Sequence, residues 1–223
     1  MYVPPMFEEL DAAVLHALVR AHPLGAWVAT TDGQLTANHI PFLLDADRGP
    51  CGTLVAHVSR ANDIWQKCSR EQQSLVIFQG PQHYITPSWY ASKREHGKTV
   101  PTWNYAVVHA SGVPRIIEDT AWLLTHVTAL VERHESTRKE PWHVTDAPAD
   151  YIAAQLRGIV GVEIPINSLT GKWKTSQNRP AADQEGTAEG LREIGSEGAA
   201  AMAAIVERGE RREGRRERGG RTD

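Results

Sequence analysis

The sequence predicts an antiparallel β-barrel with peripheral helices, which makes the protein mainly β in fold class. Several short segments alternate apolar and polar residues between turn residues, a pattern typical of half-buried strands. Most of these segments precede the clearest amphipathic helices instead of alternating with them, which argues against a doubly wound parallel sheet. A length of 223 residues is ample for one large β-rich domain or two small ones.

The N-terminal part predicts a helix and then a hairpin. A helix from about Phe7 to Ala21 follows a short extended arm. Its apolar face consists of Leu10, Val14, Leu15, Leu18 and Val19. The stretch GAWVATTDGQLTANHIPFLLD predicts two strands joined at Asp32-Gly33, a dipeptide typical of tight hairpins. A third strand, CGTLVAHV, leads into a short helix over SRANDIWQKCSREQ, for which Ser59 or Asn62 is the candidate cap.

The central stretch, Gln79–Gly112, is the richest in candidate ligand-binding residues. It follows a strand over SLVIFQG that is apolar enough to be buried on both faces, and Gly80-Pro81 predicts a turn at its start. HYITPSW and NYAVVHASGVPRII predict two more strands. Aromatic and histidine side chains crowd this stretch, namely Tyr84, Trp89, Trp103, Tyr105, His83 and His109. Aromatic rings with polar tips suit a pocket for a flat, partly polar ligand, although they also fill the ends of ordinary barrels.

The second half predicts two helices, a long strand and a C-terminal extension. The helix over EDTAWLLTHVTALVERHES has a buried stripe of Trp122, Leu123, Val127, Leu130 and Val131. A shorter helix ends at Gly158, and IVGVEIPINSLTGKWK predicts the last long strand. We expect a barrel domain over residues 1–180 and a helical extension over 181–208, with a helix from about Ala181 to Val206. The Arg/Glu-rich tail over 209–223 is expected to be disordered.

Composition and charge limit the partners and the compartment. The net charge of −3 predicts no overall attraction to nucleic acid, and the Arg-rich tail predicts at most non-specific, salt-sensitive binding. Cys51 and Cys68 lack the spacing of a zinc site or a disulfide framework and are expected to be reduced. No apolar run is long enough to span a membrane, and the N-terminus lacks the pattern of a secretory signal. We therefore expect a cytoplasmic protein.

The most ligand-like run is His57-Val58-Ser59-Arg60-Ala61-Asn62, at the end of a strand that leads into a helix. Such a junction presents free backbone N–H groups and the positive end of the helix dipole to an anion. Arg60 adds a bidentate donor and Ser59 adds a hydroxyl, which suits a terminal phosphate. Ser-Arg-Ala-Asn is also an ordinary helix cap, and by itself the run favours that interpretation.

Two further groups of polar residues are candidates for binding. Thr30, Asn38 and His39 lie on the strands of the predicted hairpin, where they contact a ligand or only pair across the strands. A buried His39 would need a hydrogen-bond partner. Lys172 and Gln177 belong to the donor-rich run GKWKTSQNRP, which suits a phosphate or acidic substrate, or else forms a basic loop. No HExxH, GxSxG, GxGxxG or P-loop motif occurs, and ten His are too scattered to predict a metal site.

Six motifs occur in order along residues 1–180. They are MYVPPMFEE, ANHIPFLLD, TLVAHVSRANDIWQ, FQGPQHYITPSWY, VPTWNYAVVHASG and IVGVEIPINSLTGKWKTSQNRP. Together they resemble the PaiB-type family of FMN-binding negative transcriptional regulators, within the split-barrel flavoproteins related to pyridoxamine phosphate oxidase-like proteins. The resemblance implies an antiparallel split β-barrel that binds FMN, forms a homodimer and holds the cofactor between its two subunits.

Ten residues are the predicted contacts of FMN, and the resemblance supports two groups of them, Ser59-Arg60 and Lys172 with Gln177. The full set is Thr30, Asn38, His39, His57, Ser59, Arg60, Asn62, Trp103, Lys172 and Gln177. In split-barrel flavoproteins the junction on which Ser59-Arg60 falls resembles the place where the FMN phosphate is held. Lys172 and Gln177 are implied contacts that extend to the flavin of the partner chain.

Three functions follow from the resemblance. The first two are flavin-dependent oxidation or reduction of a small molecule, and a ligand-sensing regulatory role. If the protein is an enzyme, the flavin carries the chemistry. No segment has the pattern of a helix-turn-helix, so we expect any effect on transcription to pass through a partner or a metabolite. The third is a haem-binding or haem-degrading split barrel with His57, His83 or His109 as axial ligand, in which Ser59-Arg60 would lack a role.

Overall fold

The computed structural model describes residues 1–219, with side chains described through residue 208. The chain divides into two compact units. Unit 1 consists of residues 1–11, residues 79–108 and the segment from residue 170 onward, and unit 2 consists of residues 12–78 and 109–169. The tail predicted over 209–223 lies outside the residues whose side chains are described. Its disorder and the predicted boundaries at residues 180 and 208 stay predictions.

The strands pair antiparallel wherever the structure gives a register, which confirms the predicted class of antiparallel sheets with helices. In chain order the strands are β1 (Glu8–Glu9), β2 (Leu24–Thr31), β3 (Gln34–Pro41), β4 (Leu43–Asp45), β5 (Thr53–Ser59), β6 (Ser74–Ile85), β7 (Thr102–Gly112), β8 (Arg115–Ile117), β9 (Ile159–Pro165) and β10 (Ser168–Lys174). The helices are α1 (Ala12–Ala21), α2 (Ile64–Lys67), α3 (Ala91–His96), α4 (Thr120–Glu135), α5 (Ala149–Arg157), α6 (Ala181–Ile194) and α7 (Glu197–Gly219).

The hairpin predicted at Asp32-Gly33 is confirmed in unit 2, where it joins β2 to β3. Both turn residues have left-handed backbones, with φ of 50° at Asp32 and 79° at Gly33. Two such residues form a type I′ turn, whose twist matches that of the flanking strands. Thr31 pairs with Gln34 across the turn, and β2 pairs on its other side with β6.

A second sheet in unit 2 has the strand order β4-β5-β9-β8. His57 on β5 lies opposite Gly161 on β9. A Cβ atom at Gly161 would overlap the indole ring of Trp122 on α4. The missing side chain at Gly161 therefore lets α4 lie directly on the strand, and this contact places α4 beside His57.

Unit 1 contains strands in the order β1-β10-β7-β6 and a helical core. The buried members of this core are Ile85, Tyr90, Ala188, Leu191, Ala199, Met202, Ala203 and Val206. Trp89 packs against the cluster, and a Cβ atom at Gly190 would overlap its ring. Helices α6 and α7 thus provide much of the apolar surface that unit 1 buries.

The predicted helix over Phe7–Ala21 was wrong in its first turns. The chain forms a 3-10 turn at Pro5–Phe7 and strand β1 at Glu8–Glu9 before α1 begins at Ala12. Leu10 is 79% exposed, so it does not belong to the buried face. The reason is tertiary, because β1 pairs with β10 far along the chain and this pairing overrides the local helical pattern.

The predicted turn at Gly80-Pro81 was also wrong, since β6 continues through both residues. Proline fixes φ in a range that an extended strand accepts, so it removes a donor without forcing a bend. Burial alternates from Ser74 to Phe78, so this part of β6 is fully buried on one face and not on both as predicted.

Two C-terminal elements are divided where the sequence predicted single ones. The predicted last strand is β9 and β10, separated by Ile166 and Asn167, whose N–H groups donate to Gly52 O (3.0 Å) and Ser111 O (2.8 Å). The predicted helix over Ala181–Val206 is α6 and α7, because α6 ends at Gly195 with a φ of 70°.

The positions of α4 and α5 were predicted correctly, including the end of α5 at Gly158. The buried residues of α4 are Leu123 and His126, while the other predicted stripe residues are half-buried. Among the described residues, none of the helices is long and apolar enough to cross a membrane.

Candidate functional site

An open cleft of about 420 Å³ lies in unit 2, where β3, β5 and α5 end and β9 begins. This volume is within the range of ~300–1,000 Å³ that is usual for ligand sites. Apolar lining comes from Ile40 and Ile159, and polar lining comes from His57, Ser59 and Asn62. Three residues that the sequence singled out therefore line one cleft.

Asn62 connects the cleft to the hairpin and to α2. Its amide Nδ2 donates to Asn38 Oδ1 at 2.8 Å, and its Oδ1 accepts the backbone N–H of Ile64 at 3.1 Å. The cap of α2 is Asp63, which makes no side-chain capping bond, so the predicted cap at Ser59 or Asn62 was wrong. Asn62 lies one residue before the cap and bonds the first residue of the helix instead. Asn38 is thus a partner of a cleft residue, and its contact with a ligand stays a prediction.

The backbone N–H groups of the junction are already bonded within the protein. Arg60 N donates to Gly158 O at 2.8 Å, Asn62 N donates to Ser59 O at 2.9 Å, and Ala61 N donates to Ser59 Oγ at 3.3 Å. Helix α2 has four residues, so few peptide dipoles add along its axis. The N–H groups of Arg60, Ala61 and Asn62 are therefore not available to an anion, and the hydroxyl of Ser59 is a donor that an anion could use instead.

Arg60 uses its guanidinium group to hold parts of unit 2 together. Nε donates to Arg157 O at 3.0 Å, Nη2 donates to Ile159 O at 3.3 Å, and Nη1 pairs with Glu118 Oε2 at 2.7 Å. The group also lies 5.5 Å from the ring centre of Trp65. In this conformation Arg60 fastens the end of β5 to the start of β9, and its contact with a phosphate stays a prediction.

His57 is paired with a second histidine behind the cleft wall. His57 Nδ1 lies 3.0 Å from Nε2 of His126, which belongs to α4 and is 4% exposed. Nδ1 of His126 is buried and has no hydrogen-bond partner among the described residues. The two rings therefore share one hydrogen bond. The other ring nitrogen of His57, Nε2, remains available to a ligand in the cleft that His57 lines.

A chain of contacts holds His126 in place. The indole of Trp122 stacks on the His126 ring, with centroids 5.4 Å apart and planes inclined by 21°. Trp122 Nε1 donates to Glu163 Oε1 at 3.1 Å, and Glu163 Oε2 pairs with Arg48 at 2.7 Å. The buried carboxylate of Glu163 is thus satisfied by two donors, and the indole that stacks on His126 is held by its own hydrogen bond to Glu163.

Burial keeps both rings of the pair neutral. It lowers the pKa of His57 below the ordinary value of 6.5. The pKa of His126 is lowered to about 4, chiefly by burial and further by the neighbouring His57. At pH 7 the His57 ring that lines the cleft and the His126 ring behind it are therefore both uncharged.

Thr30 and His39 are described residues that do not line this cleft. The carbonyl of Thr30 accepts the N–H of Ser69 at 3.3 Å, and its side chain is half-buried. His39 is exposed, so the partner that a buried histidine would need is not required. Their contacts with a ligand stay predictions.

Trp103 belongs to unit 1. It is 48% exposed, and its Nε1 donates to Gln82 Oε1 at 2.6 Å. Tyr84, which is 45% exposed, meets the Trp103 ring edge-on at a centroid distance of 6.1 Å. Two large rings are thus exposed side by side on unit 1.

Lys172 and Gln177 also belong to unit 1, and both tie the N-terminal arm. Lys172 Nζ donates to Tyr2 O at 3.1 Å and lies 5.6 Å from the centre of the Tyr2 ring. Gln177 Nε2 donates to Met6 O at 3.0 Å. These contacts give both residues a structural role, and their contacts with a flavin stay predictions.

The two other histidines considered as haem ligands, His83 and His109, do not line the cleft. His83 on β6 has Nδ1 2.7 Å from the carbonyl oxygen of Tyr84. Burial lowers the pKa of His109, on β7. Within the described part of the chain, no three His, Cys, Asp or Glu side chains are grouped so as to hold a metal ion.

Sequence reasoning missed His126, which completes the arrangement behind His57. It counted apolar positions on α4, and a histidine is not counted in such a stripe. The available signal was its spacing, because His126 follows Leu123 by three residues and Trp122 by four, on the face that packs inward.

Solved structures resemble this fold. The flavocytochrome Anf3 from Azotobacter vinelandii matches with a TM-score of 0.55 and 16% identity, over 76% of this chain and 70% of that chain. At this identity the likeness speaks for the fold, and it confirms the predicted antiparallel split β-barrel.

The chain belongs to the family described as "Putative FMN-binding domain", whose model matches residues 1–168. FMN is therefore its cofactor. A protein of Bacillus subtilis named "Protease synthase and sporulation protein PAI 2" is 30% identical, over 93% of this chain and 97% of its own. This relative confirms the predicted PaiB-type resemblance. An uncharacterized protein of Emericella nidulans is 32% identical, over 94% of this chain and 98% of its own.

The residues of the cleft fit a flavin. Ile40 and Ile159 offer apolar surface for a flat ring, while the hydroxyl of Ser59 and the free nitrogen of His57 offer hydrogen bonds. A phosphate would meet neutral donors here, since the guanidinium of Arg60 is turned to protein acceptors.

Proposed function

We propose that the protein holds FMN in the cleft of unit 2 and acts as a flavin-dependent oxidoreductase on a small molecule. The observation that carries the proposal is that His57, Ser59 and Asn62, each a candidate from the sequence, line the same cleft. When bound, FMN supplies hydride or single-electron transfer, and the chain contributes binding and orientation.

His57 is the side chain best placed to serve the chemistry. Its Nδ1 is held by His126, and burial lowers its pKa, so the neutral ring borders an open cleft. A neutral imidazole near physiological pH can give or take a hydrogen bond and can hold a proton at its free nitrogen. We assign it the role of contact and proton carrier beside the flavin.

The first experiment is a visible absorption spectrum of the purified full chain, recorded again after FMN is added and the excess removed. We expect a retained, stoichiometric flavin. Ser59→Ala and His57→Ala should each weaken FMN binding roughly tenfold, because each removes one hydrogen-bonding group. Ser168→Ala, at an exposed serine outside the cleft, is the matched control and should bind as the wild type does.

Other outcomes separate the rival functions. A chain that takes no FMN, or whose affinity is the same in all three variants, would overturn the proposed site. A sharp haem band would favour the haem-binding alternative. A retained flavin that reductants such as nicotinamide nucleotides reduce and that small-molecule acceptors reoxidise with turnover would support an enzyme.

A homodimer is part of the proposal. Its support is the exposed aromatic surface of unit 1, where Trp103 and Tyr84 lie together and Tyr2 is 82% exposed. Large exposed rings favour an interface, and two-fold pairing is the commonest assembly. Sedimentation velocity should give a dimer, and Trp103→Ser should shift it towards monomer. A monomer with full FMN affinity would refute both the dimer and the contacts of Lys172 and Gln177 with the flavin of the partner chain.

A regulatory role is the second candidate, and the resemblance to the PaiB-type negative transcriptional regulators favours it. The net charge of −3 argues against direct binding to DNA. We therefore expect no sequence-specific shift of DNA in a gel at 150 mM salt. A flavin-loaded protein that binds a partner and shows no turnover would support this role over the enzyme.

A further inference from the structure

The hydrogen bond between His57 and His126 contains a single hydrogen. Whether this hydrogen is bound to His57 or to His126 decides whether His57 presents a donor or an acceptor to a ligand in the cleft. If His57 Nδ1–H donates, the proton of neutral His126 lies on Nδ1, and the free Nε2 of His57 is an acceptor. If His126 Nε2–H donates, Nδ1 of His126 is a bare lone pair, and the free Nε2 of His57 carries a hydrogen.

The surroundings of His126 favour the second arrangement. Nδ1 of His126 is buried with no partner among the described residues, so the first arrangement would bury an N–H group that donates to nothing. Buried donors without an acceptor are rarer in proteins than acceptors whose lone pairs are unused. The second arrangement leaves only an unused lone pair.

The packing around the pair opposes rotation of the His126 ring, which would exchange the positions of its two nitrogens. Trp122 stacks on its ring at 5.4 Å, and Trp122 is itself tied to Glu163 at 3.1 Å. Protonation of the pair is disfavoured as well, because burial lowers the pKa of both rings. His126 thus remains a fixed neutral donor.

We propose that His126 is a positioning residue that fixes His57 in the Nε2–H tautomer, so that the cleft presents a neutral hydrogen-bond donor to its ligand. The occupant must then place an acceptor at His57, and a carbonyl oxygen or unprotonated ring nitrogen of a flavin and a phosphate oxygen all satisfy this demand. The identity of the occupant rests on the proposed function, while the tautomer does not.

The test is the tautomer of His57, measured without FMN by long-range ¹H–¹⁵N correlation spectra of the ¹⁵N-labelled full chain at pH 7.5. His57→Gln and His126→Gln assign the signals. We expect His57 to be protonated at Nε2 and unprotonated at Nδ1. The opposite tautomer of His57 in the wild-type protein would overturn the proposal.

Two substitutions separate positioning from packing. His126→Gln keeps a donor nitrogen near the position of Nε2, so it should preserve the His57 tautomer and the FMN affinity. His126→Leu keeps bulk without a donor, so it should give mixed tautomers at His57 and roughly fivefold to tenfold weaker FMN binding. An unchanged His57 tautomer in His126→Leu would overturn the positioning role.

Adding FMN distinguishes this inference from the proposed function. If FMN binds and shifts the His57 Nε2–H signal, both stand. If the tautomer is as predicted and FMN leaves the His57 signals unchanged, the proposed flavin site is wrong and the tautomer assignment is not.

Discussion

The carboxylate of Asp183 on α6 accepts two hydrogen bonds from Ser92 at the start of α3. The backbone N–H of Ser92 donates to Oδ1 at 2.9 Å, and its hydroxyl donates to Oδ2 at 2.6 Å. Asp183 is 1% exposed. Hydrogen bonds to a carboxylate are stronger than neutral ones, so this side chain fastens the two helices of unit 1 to each other.

We predict that Asp183→Ala lowers the free energy of unfolding by about 3 kcal/mol, because it leaves two buried donors of Ser92 without an acceptor. Urea titration at pH 7 measures the change. Asp47→Ala, at an exposed carboxylate in unit 2, is the control and should stay within about 0.5 kcal/mol of the wild type. If Asp183→Ala lowered the free energy of unfolding no more than Asp47→Ala does, the contact between Asp183 and Ser92 would contribute little to stability.

The histidine pair predicts that stability falls as the pH is lowered. The pKa of His126 is about 4 in the folded protein and 6.5 in the unfolded chain. Between pH 4 and pH 6.5 the unfolded chain therefore binds more protons than the folded protein does. Stability therefore rises with pH across this window and is lost as the pH falls through it, by roughly 3 kcal/mol in total.

The measurement is the free energy of unfolding from urea titrations between pH 4.5 and pH 7.5. His126→Gln should flatten the dependence relative to the wild type. Burial also lowers the pKa of His22 and His109, but both residues are present in both proteins, so the difference isolates the pair. Parallel curves would contradict the burial of a neutral His126.

A substitution at Arg60 distinguishes two roles for this residue, which either holds the cleft wall together or binds the phosphate of FMN. Because its guanidinium donates to Arg157, Ile159 and Glu118, we expect Arg60→Ala to loosen the cleft wall and weaken FMN and riboflavin equally, by roughly threefold to tenfold. Binding is measured by fluorescence quenching of each flavin.

Riboflavin lacks the phosphate. If Arg60 bound the phosphate, Arg60→Ala would therefore weaken the binding of FMN and leave the binding of riboflavin unchanged. Glu118→Gln is the matched control, since it removes the ion pair and keeps the guanidinium. Its effect should be small because the pair is exposed to solvent.

Gly161→Ala should disturb the pair of His57 and His126 through Trp122, which contacts Gly161 and stacks on His126. A Cβ atom there would lie 2.9 Å from Cε3 and 3.0 Å from Cη2 of Trp122, which must then move away from its place on His126. We expect a loss of about 1–3 kcal/mol and a changed tryptophan emission spectrum. Gly198→Ala, where a Cβ atom meets nothing within 4 Å, should cause no loss.

Local chemistry was enough to predict some elements. The Asp32-Gly33 hairpin depends on two residue types that readily adopt left-handed backbones, with φ of 50° and 79° here. The end of α5 was predicted at Gly158, although this glycine has an ordinary φ of −83°. The convergence of His57, Ser59 and Asn62 follows from the end of β5 and the turn directly after it, which are adjacent in sequence.

The failures share a cause that is not local. Ile166 and Asn167 interrupt the predicted last strand because their N–H groups find acceptors at Gly52 and Ser111. Strand β1 replaces the first turns of a predicted helix because β10 offers a partner. His126 escaped notice because its importance depends on a residue of another element.

The discontinuity of unit 1 sets an order for biosynthesis. All of unit 2 has been made once residue 169 has left the ribosome, whereas β1, made first, finds Lys172 and Gly171 opposite it only near the end. Domains tend to fold as they emerge, so unit 2 can form during translation while unit 1 must wait for the C-terminal segment. A message truncated before codon 170 would thus yield a chain whose N-terminal arm has no strand to join, a natural target for proteolysis.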